Sequence, residues 1–300
     1  MAETVSIIIP HMNQSAFLER CLVSLAPQVA AHKDVEVIVV DNGSKQLPTE
    51  VLNRFAWARL EQEKEAGPGP ARNKGIAVSR GQLLAFIDAD CMAHANWLSS
   101  LINTFAENAE FDVLGGDVRI GLADAARPTI LESYESVFAY RQAEYISKYK
   151  FSGTGNLAMR RPAFFKVGPF AGIDVAEDRE WGQRANKAGV AILYVPEMIV
   201  YHPARQTFAD LRKKWDRHIS HDFNEKAGGI GGRLKWFALV FAVAVSGVVD
   251  VRKVIASDRI STVRERFLAS LMLLRIRLYR AWRMLGLVFQ RGASGPKWNS

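Results

Sequence analysis

Leu83-Leu84-Ala85-Phe86-Ile87 is an unbroken apolar run, and Asp88-Ala89-Asp90 follows it directly. Five consecutive apolar residues fit a strand buried on both faces, as in a parallel sheet covered by helices. In an extended chain, residues two apart project to the same side, so Asp88 and Asp90 point together past the small Ala89. Such a carboxylate pair, at the carboxyl end of a buried parallel strand, is a seat for a hard divalent cation. An Asp-x-Asp can equally end a strand in a turn, so the rest of the chain has to separate the two readings.

Strands and helices alternate around this run. Residues 5–10, Val-Ser-Ile-Ile-Ile-Pro, read as a short buried strand stopped by Pro10. Ser15 is expected to cap a helix running to about Pro27, in which Phe17, Leu18, Cys21, Leu22 and Leu25 have helical spacing. Residues 34–40 form a second buried strand that ends in the turn signature Asp41-Asn42-Gly43-Ser44. After a helix near 49–55 and a strand near 57–60, Gly67-Pro68-Gly69-Pro70 is a stiff turn opening a helix from Ala71 to about Arg80. Beyond the central run come a helix over 95–107, a strand over 113–118, a helical stretch over 121–150 and a small-residue loop at 151–156. A helix closing at Gly189 and strands over 190–195 and 199–202 complete the pattern. Alternation of this kind predicts an α/β domain with a mainly parallel central sheet flanked by helices.

The 300 residues are 49% hydrophobic and 23% charged, enough for one large domain with an appendage. Cys21 and Cys91 are the two cysteines, too few for a disulfide framework, and a reducing compartment is expected. Residues 1–10 enter a strand without a basic leader, so no secretory signal is expected. Charge is unevenly spread: residues 1–202 hold 20 Lys/Arg against 24 Asp/Glu, whereas residues 203–300 hold 19 against 7. The basic surplus lies wholly in the last third and points to an acidic surface as partner, nucleic acid or anionic lipid.

The strand-end motifs, taken in order, resemble a family-2 glycosyltransferase of the GT-A (nucleotide-diphospho-sugar transferase) fold. They are the Val-Ser-Ile-Ile-Ile-Pro opening, Val-Ile-Val-Val-Asp-Asn-Gly-Ser, Gly-Pro-Ala-Arg-Asn-Lys-Gly, Phe-Ile-Asp-Ala-Asp, Gly-Asn-Leu-Ala-Met-Arg-Arg, and Glu-Asp before a helix. The likeness covers residues 4 to about 203 and puts the catalytic domain at 1–205. It implies inverting transfer from a nucleotide-sugar donor, with Mn2+ or Mg2+ on the diphosphate.

Carried onto this chain, the resemblance assigns donor binding to Pro10, Asn13, Asp41, Arg72, Asn73, Asp88 and Asp90. Asp41 would accept from the base N–H, Asp90 would be the direct metal ligand, and Asp88 would take the ribose or a metal-bound water. His202 would be a third metal ligand, since imidazole suits Mn2+. Acceptor binding falls to Gly155, Asn156 and Glu177, and the proton of the attacking hydroxyl to Asp178 as general base. Acidic residues are also favoured in a helix's first turn by the macrodipole, the plainer reading of Glu177 and Asp178. Processive relatives carry Gln-x-x-Arg-Trp where this chain has Leu211-Arg212-Lys213-Lys214-Trp215, which leaves Arg212 or Lys214 for a diphosphate contact and argues against a processive polymerase.

Residues 206–300 read as a helical, basic, amphipathic extension. Residues 236–249 carry no charge but are shorter than the roughly twenty residues a spanning helix needs. From 264 to 291, Phe267, Leu271, Leu274, Leu278, Trp282, Leu285 and Phe289 form a stripe among arginines at 264, 266, 275, 277, 280, 283 and 291. Basic amphipathic helices with Trp and Phe lie in the plane of a membrane surface. The expectation is a peripheral or monotopic enzyme on the cytoplasmic face of a bacterial inner membrane, working on a polyprenyl-diphosphate-linked glycan in surface polysaccharide or glycolipid synthesis. Nucleic acid is not expected as a partner, because the aromatics form a helix stripe rather than a stacking strand. A helix pair packed on the catalytic domain, or a homodimer through these helices, is the plainer alternative. A nicotinamide-dependent Rossmann enzyme is disfavoured, since its glycines should follow the first strand. A non-catalytic membrane-bound scaffold is disfavoured by the full set of acidic positions.

Overall fold

A computed structural model describes residues 3–173 and 175–289. The chain forms two compact units: residues 1–119 with 140–203, and residues 120–139 with 204–300. Arg291, counted above with the basic stripe, lies outside the described residues.

The first unit opens with β1 (Val5–His11), α1 (Ser15–Ala31), β2 (Val35–Asp41), α2 (Thr49–Leu52), β3 (Ala58–Gln62), α3 (Pro68–Val78) and β4 (Leu83–Ile87). There follow β5 (Met92–Ala93), α4 (Trp97–Glu107) and β6 (Val113–Gly121). After α5 (Ile130–Phe138), which belongs to the second unit, come α6 (Gln142–Tyr149), β7 (Asn156–Arg160), α7 (Arg161–Val167), α8 (Glu177–Lys187) and β8 (Ile192–Pro203). The eight strands are ordered β3-β2-β1-β4-β7-β6-β8-β5. The β3-β2-β1-β4 half is parallel, as the alternating pattern predicts. β4–β7, β6–β7 and β5–β8 pair antiparallel, so the sheet is mixed.

Alternation within the buried strands sorts the core onto two faces. Ile7, Ile9, Val37, Val39, Ala85 and Ile87 join α1 and α4 on one face. Ile8, Ile38, Val40, Leu84 and Phe86 join α3, α7 and α8 on the other. Winding reverses between β1 and β4, and such a reversal opens a crevice at the carboxyl ends of the strands. β1 is not stopped by Pro10 but runs on to His11 against Asp41. Its pairing with β4 ends at Ile8, so the proline lies on an edge where a missing N–H costs no ladder bond. Nor does the Gly-Pro turn merely precede α3: Pro68 is in its first turn, where the missing N–H would be unpaired anyway. The helical stretch expected over 121–150 starts only at α5, behind a Thr129–Glu132 capping box, and Tyr140, at φ 48°, separates α5 from α6.

The second unit adds α9 (Phe208–Lys226), α10 (Gly229–Val249), α11 (Val251–Ile255) and α12 (Val263–Phe289) to α5. One core joins Leu131 and Tyr134 of α5 to Leu211 of α9 and to Met272, Leu273 and Ile276 of α12. A second joins Ile219 of α9, Trp236, Val240 and Val243 of α10, and Met284 and Leu287 of α12. The uncharged run 236–249 lies within a longer helical stretch, residues 231–255, whose most apolar 18-residue window has mean hydropathy 1.9; by length and composition alone it is apolar enough to cross a membrane. Only 28% of the most apolar part is buried, with Phe237, Phe241, Val245 and Val248 exposed. On α12 the expected stripe is the outward one, Phe267, Leu271, Leu278 and Trp282 being exposed.

Candidate active site

The strand tips bring most of the expected residues to one edge of the sheet. β5 pairs with β8 so that Met92 opposes Tyr201, and the preceding residues of one meet the following residues of the other. This register sets His202 Nε2 3.3 Å from Asp90 Oδ2. His202 Nδ1 is 2.7 Å from the Pro203 carbonyl, a contact that places the proton on Nδ1 and turns Nε2 toward Asp90. Burial pulls the His202 pKa down, but the hydrogen bond and charge of Asp90 outweigh it and leave it raised. Asp90, correspondingly, is lowered: burial raises it, and His202 more than compensates. Tyr140, which the sequence did not single out, lies over the imidazole with ring centres 4.7 Å apart.

Asp88 faces elsewhere. Its Oδ1 is 2.6 Å from Arg72 Nη2, while Arg72 Nη1 is 2.9 Å from Glu177 Oε1. The arginine is 2% exposed, and its Nε has no hydrogen-bond partner among the described residues. Expected on the donor, Arg72 instead spends its fork on two protein carboxylates, tying the tip of β4 to the start of α8. A Cβ on Gly155 would sit 2.5 Å from Asp88 Oδ2, so this glycine makes room for the carboxylate rather than flooring an acceptor pocket.

Two amides also depart from their expected roles. Asn156 is fully buried, donating to the carbonyls of Asp117 and Met198 and accepting from the Trp97 indole. Its hydrogen-bonding is used within the protein, and it has no exposed edge for an acceptor. Asn73 accepts from the Phe170 N–H at 2.9 Å and donates to the Phe170 carbonyl at 2.8 Å. With Gly69, where a Cβ would meet the Ala171 carbonyl at 2.0 Å, it seats the loop leading to α8 on α3.

At the tip of β2, Asp41 is 2% exposed; its Oδ1 is 2.9 Å from His11 Nδ1, and its Oδ2 accepts from the Ser44 N–H. Burial raises its pKa, and the contacts from Ser44 and His11 bring it below the ordinary value. Asp41 therefore braces the 41–44 turn and has little surface for a base. His11 was missed in the sequence because only the β1–β2 register reveals that it lies beside Asp41. Asn13, at φ 54°, donates its N–H to Ser44 Oγ and accepts from the Lys45 N–H through Oδ1, pinning the same turn. Pro10 is half-buried at the tip of β1.

Asp178 stands outside the Arg72 fork that takes its neighbour Glu177 and Asp88. It accepts a hydrogen bond from the adjacent Arg179 N–H, and the residue is partly exposed in the first turn of α8. Burial, then the negative charge of Glu177, raise its pKa against opposing pulls from Arg179 N–H and Arg72. For a divalent cation, Asp90 and His202 supply a carboxylate–imidazole set suited to Mn2+. Among the described residues no group of three or more His, Cys, Asp or Glu side chains is gathered to hold an ion, because Asp88 turns to Arg72.

Residues 6–174 match the family described as Glycosyl transferase family 2. Over 216 residues the chain is 35% identical to glycosyltransferase AglE of Haloferax volcanii, covering 70% of each protein. An uncharacterized glycosyltransferase of Nostoc, alr2836, is 28% identical over 189 residues, 59% of this chain and 56% of its own length. Among solved structures, the mannosyltransferase PcManGT from Pyrobaculum calidifontis, in complex with GDP-Man and Mn2+, superposes with TM-score 0.59 at 17% identity, covering 95% of this chain and 86% of that one. Residues 1–349 of S. aureus TarS, in complex with UDP-GlcNAc, give 0.55 at 17% identity, covering 96% and 76%. These structural likenesses show the GT-A fold.

Proposed function

The chain belongs to glycosyl transferase family 2, and from that premise we propose that it moves a sugar from a nucleotide-sugar to a hydroxyl of a lipid-linked acceptor, with inversion at the anomeric carbon. The observation that carries the reading is a division of labour at one sheet edge. Asp90 is paired with an imidazole, while Asp178 keeps a carboxyl of raised proton affinity clear of the Arg72 fork.

An acceptor oxygen attacking the anomeric carbon has to give up its proton as the new bond forms, and a carboxylate of raised pKa takes it more readily. Asp178 is that base. Glu177 raises its proton affinity while being held by Arg72. Asp88, fixed by Arg72 and given room by Gly155, keeps Oδ2 for a ribose hydroxyl. Asp90 and His202 would hold Mn2+ or Mg2+, which when bound neutralises charge on the departing diphosphate.

A lipid-linked acceptor is supported by the second unit. Its exposed apolar faces on α10 and α12 accompany a net excess of 12 basic residues over 203–300, the combination that draws a helix to an anionic bilayer surface. The cytoplasmic face of a bacterial inner membrane, with its lipid-linked glycans, is the setting this combination fits.

The test is a thermal-shift and hydrolysis panel of UDP-, GDP- and dTDP-sugars with Mn2+, run on wild type and Asp90→Ala. One donor is expected to raise the wild-type midpoint only with metal and to be slowly hydrolysed, with both effects lost in the variant. If no donor shifts or is consumed by the wild type, the catalytic reading falls and a scaffold on a transferase fold remains.

A further inference from the structure

α9 and α12 meet along a seam where cations lie on aromatic rings. The Arg280 guanidinium is 3.6 Å from the centre of the Trp215 ring, Arg275 is 4.0 Å from that of Phe208, and Arg212 is 5.1 Å from that of Tyr279. Stacking uses the flat face of a guanidinium and leaves its N–H edge for hydrogen bonds. At Arg280 that edge is incompletely used: among the described residues the buried Nε has no hydrogen-bond partner, and neither has the buried indole N–H of Trp215. Unpaired buried donors are rare and costly in folded proteins. Two of them on one stacked pair, both donors, describe a place for an anion.

The charges around the stack agree. His218, with its ring centre 5.7 Å from that of Trp215, has its pKa lowered by burial and then by Lys214, Arg217 and Arg280, with Asp222 opposing. Burial and Arg277 push Arg280 down to about 10, against Tyr134 and Asp222. Two further carboxylates of this unit, Asp216 on α9 and Asp250 between α10 and α11, have other work. Asp216 accepts from the Tyr279 hydroxyl and faces Arg283 at 3.5 Å, and Asp250 pairs with Arg277 and Lys253. The same turns of α12 expose Leu278 and Trp282, side chains on which a hydrocarbon chain can lie.

We propose that Arg280 and Trp215 bind the phosphate ester of a lipid, the headgroup of an isoprenoid-type lipid-linked acceptor, an assignment that rests on the transferase reading above. A guanidinium edge matches the oxygens of a phosphate, and the neighbouring exposed apolar residues distinguish a lipid phosphate from a soluble one.

The test measures binding to the full-length protein in neutral detergent, with farnesyl phosphate, farnesol and inorganic phosphate as probes. Farnesyl phosphate is expected to bind well ahead of the other two. Arg280→Gln and Trp215→Phe should each weaken it about tenfold or more, as for loss of a hydrogen bond to a charged group. Trp215→Phe keeps a ring under the guanidinium, so its melting temperature without lipid should equal or exceed that of wild type. Equal binding of farnesol, equal binding of inorganic phosphate, or wild-type affinity in both variants would each overturn the assignment. Phosphatidylglycerol vesicles form a separate arm: an equal loss there in Arg280→Gln would give the site to bulk headgroups and overturn its role in acceptor binding. A wild type that neither binds nor hydrolyses a nucleotide-sugar removes the transferase reading while leaving this lipid measurement intact.

Discussion

Asp178 and Glu177 are neighbours in one helical turn, yet they have different partners. Glu177 faces Arg72 at 2.9 Å, whereas burial and Glu177 itself raise the Asp178 pKa. Replacing Asp178 with Asn removes the base and little packing, so turnover should fall about 10²- to 10⁴-fold with donor affinity retained. Steady-state kinetics alongside donor titration separates the two quantities. The sign of the pH effect follows from the same contacts. Only the deprotonated form accepts a proton, so activity is lost as pH falls through the raised pKa, and the acid limb should lie above that of an ordinary aspartate near 4. Glu177→Gln removes the charge that raises it and releases the Arg72 guanidinium, both of which lower the pKa. The acid limb should therefore move to lower pH, and a shift upward would contradict the assignment.

At the scale of elements, the site is held by connections between segments far apart in sequence. Arg72 joins α3 to the tip of β4 and to α8. Arg72→Met should cost about 1–3 kcal/mol in urea unfolding, less than breaking a fully buried pair, because Asp88 and Glu177 both reach solvent. Gly155 gives a more selective perturbation. Its alanine variant puts a Cβ 2.5 Å from Asp88 Oδ2, and the carboxylate has to swing away. Donor affinity in Mn2+ should fall about tenfold while circular dichroism stays that of the wild type. Unchanged affinity would show that Asp88 does not touch the donor.

At the scale of the whole molecule, two apolar helix faces need a cover. Phe237 and Phe241 on α10 and Phe267 and Leu271 on α12 are exposed, so their replacement by Ser leaves the core intact. The fourfold variant should lose flotation with anionic liposomes and keep its sedimentation coefficient in detergent-free buffer. A change of oligomeric state with flotation unaltered would instead make the faces a dimer interface.

The one-dimensional pattern carried β1 to β4 and β6, because a buried strand needs an apolar run and its end needs a turn, but it missed β5 and β7 and divided β8 in two. Leu83 to Asp90 shows this plainly, and the outward stripe of α12 was equally readable from its spacing. Pairings across the sheet were not readable. His11 beside Asp41 depends on the β1–β2 register, His202 beside Asp90 on the β5–β8 register, and the division of Arg72 between Asp88 and Glu177 on the docking of three elements. Asn73 and Asn156 looked available for a ligand until tertiary contacts engaged their amides. Residue type and period thus determined which groups arrive at the strand tips. Only packing decided which of them spend their hydrogen bonds on the protein, since a polar group's partners are set by what is folded against it.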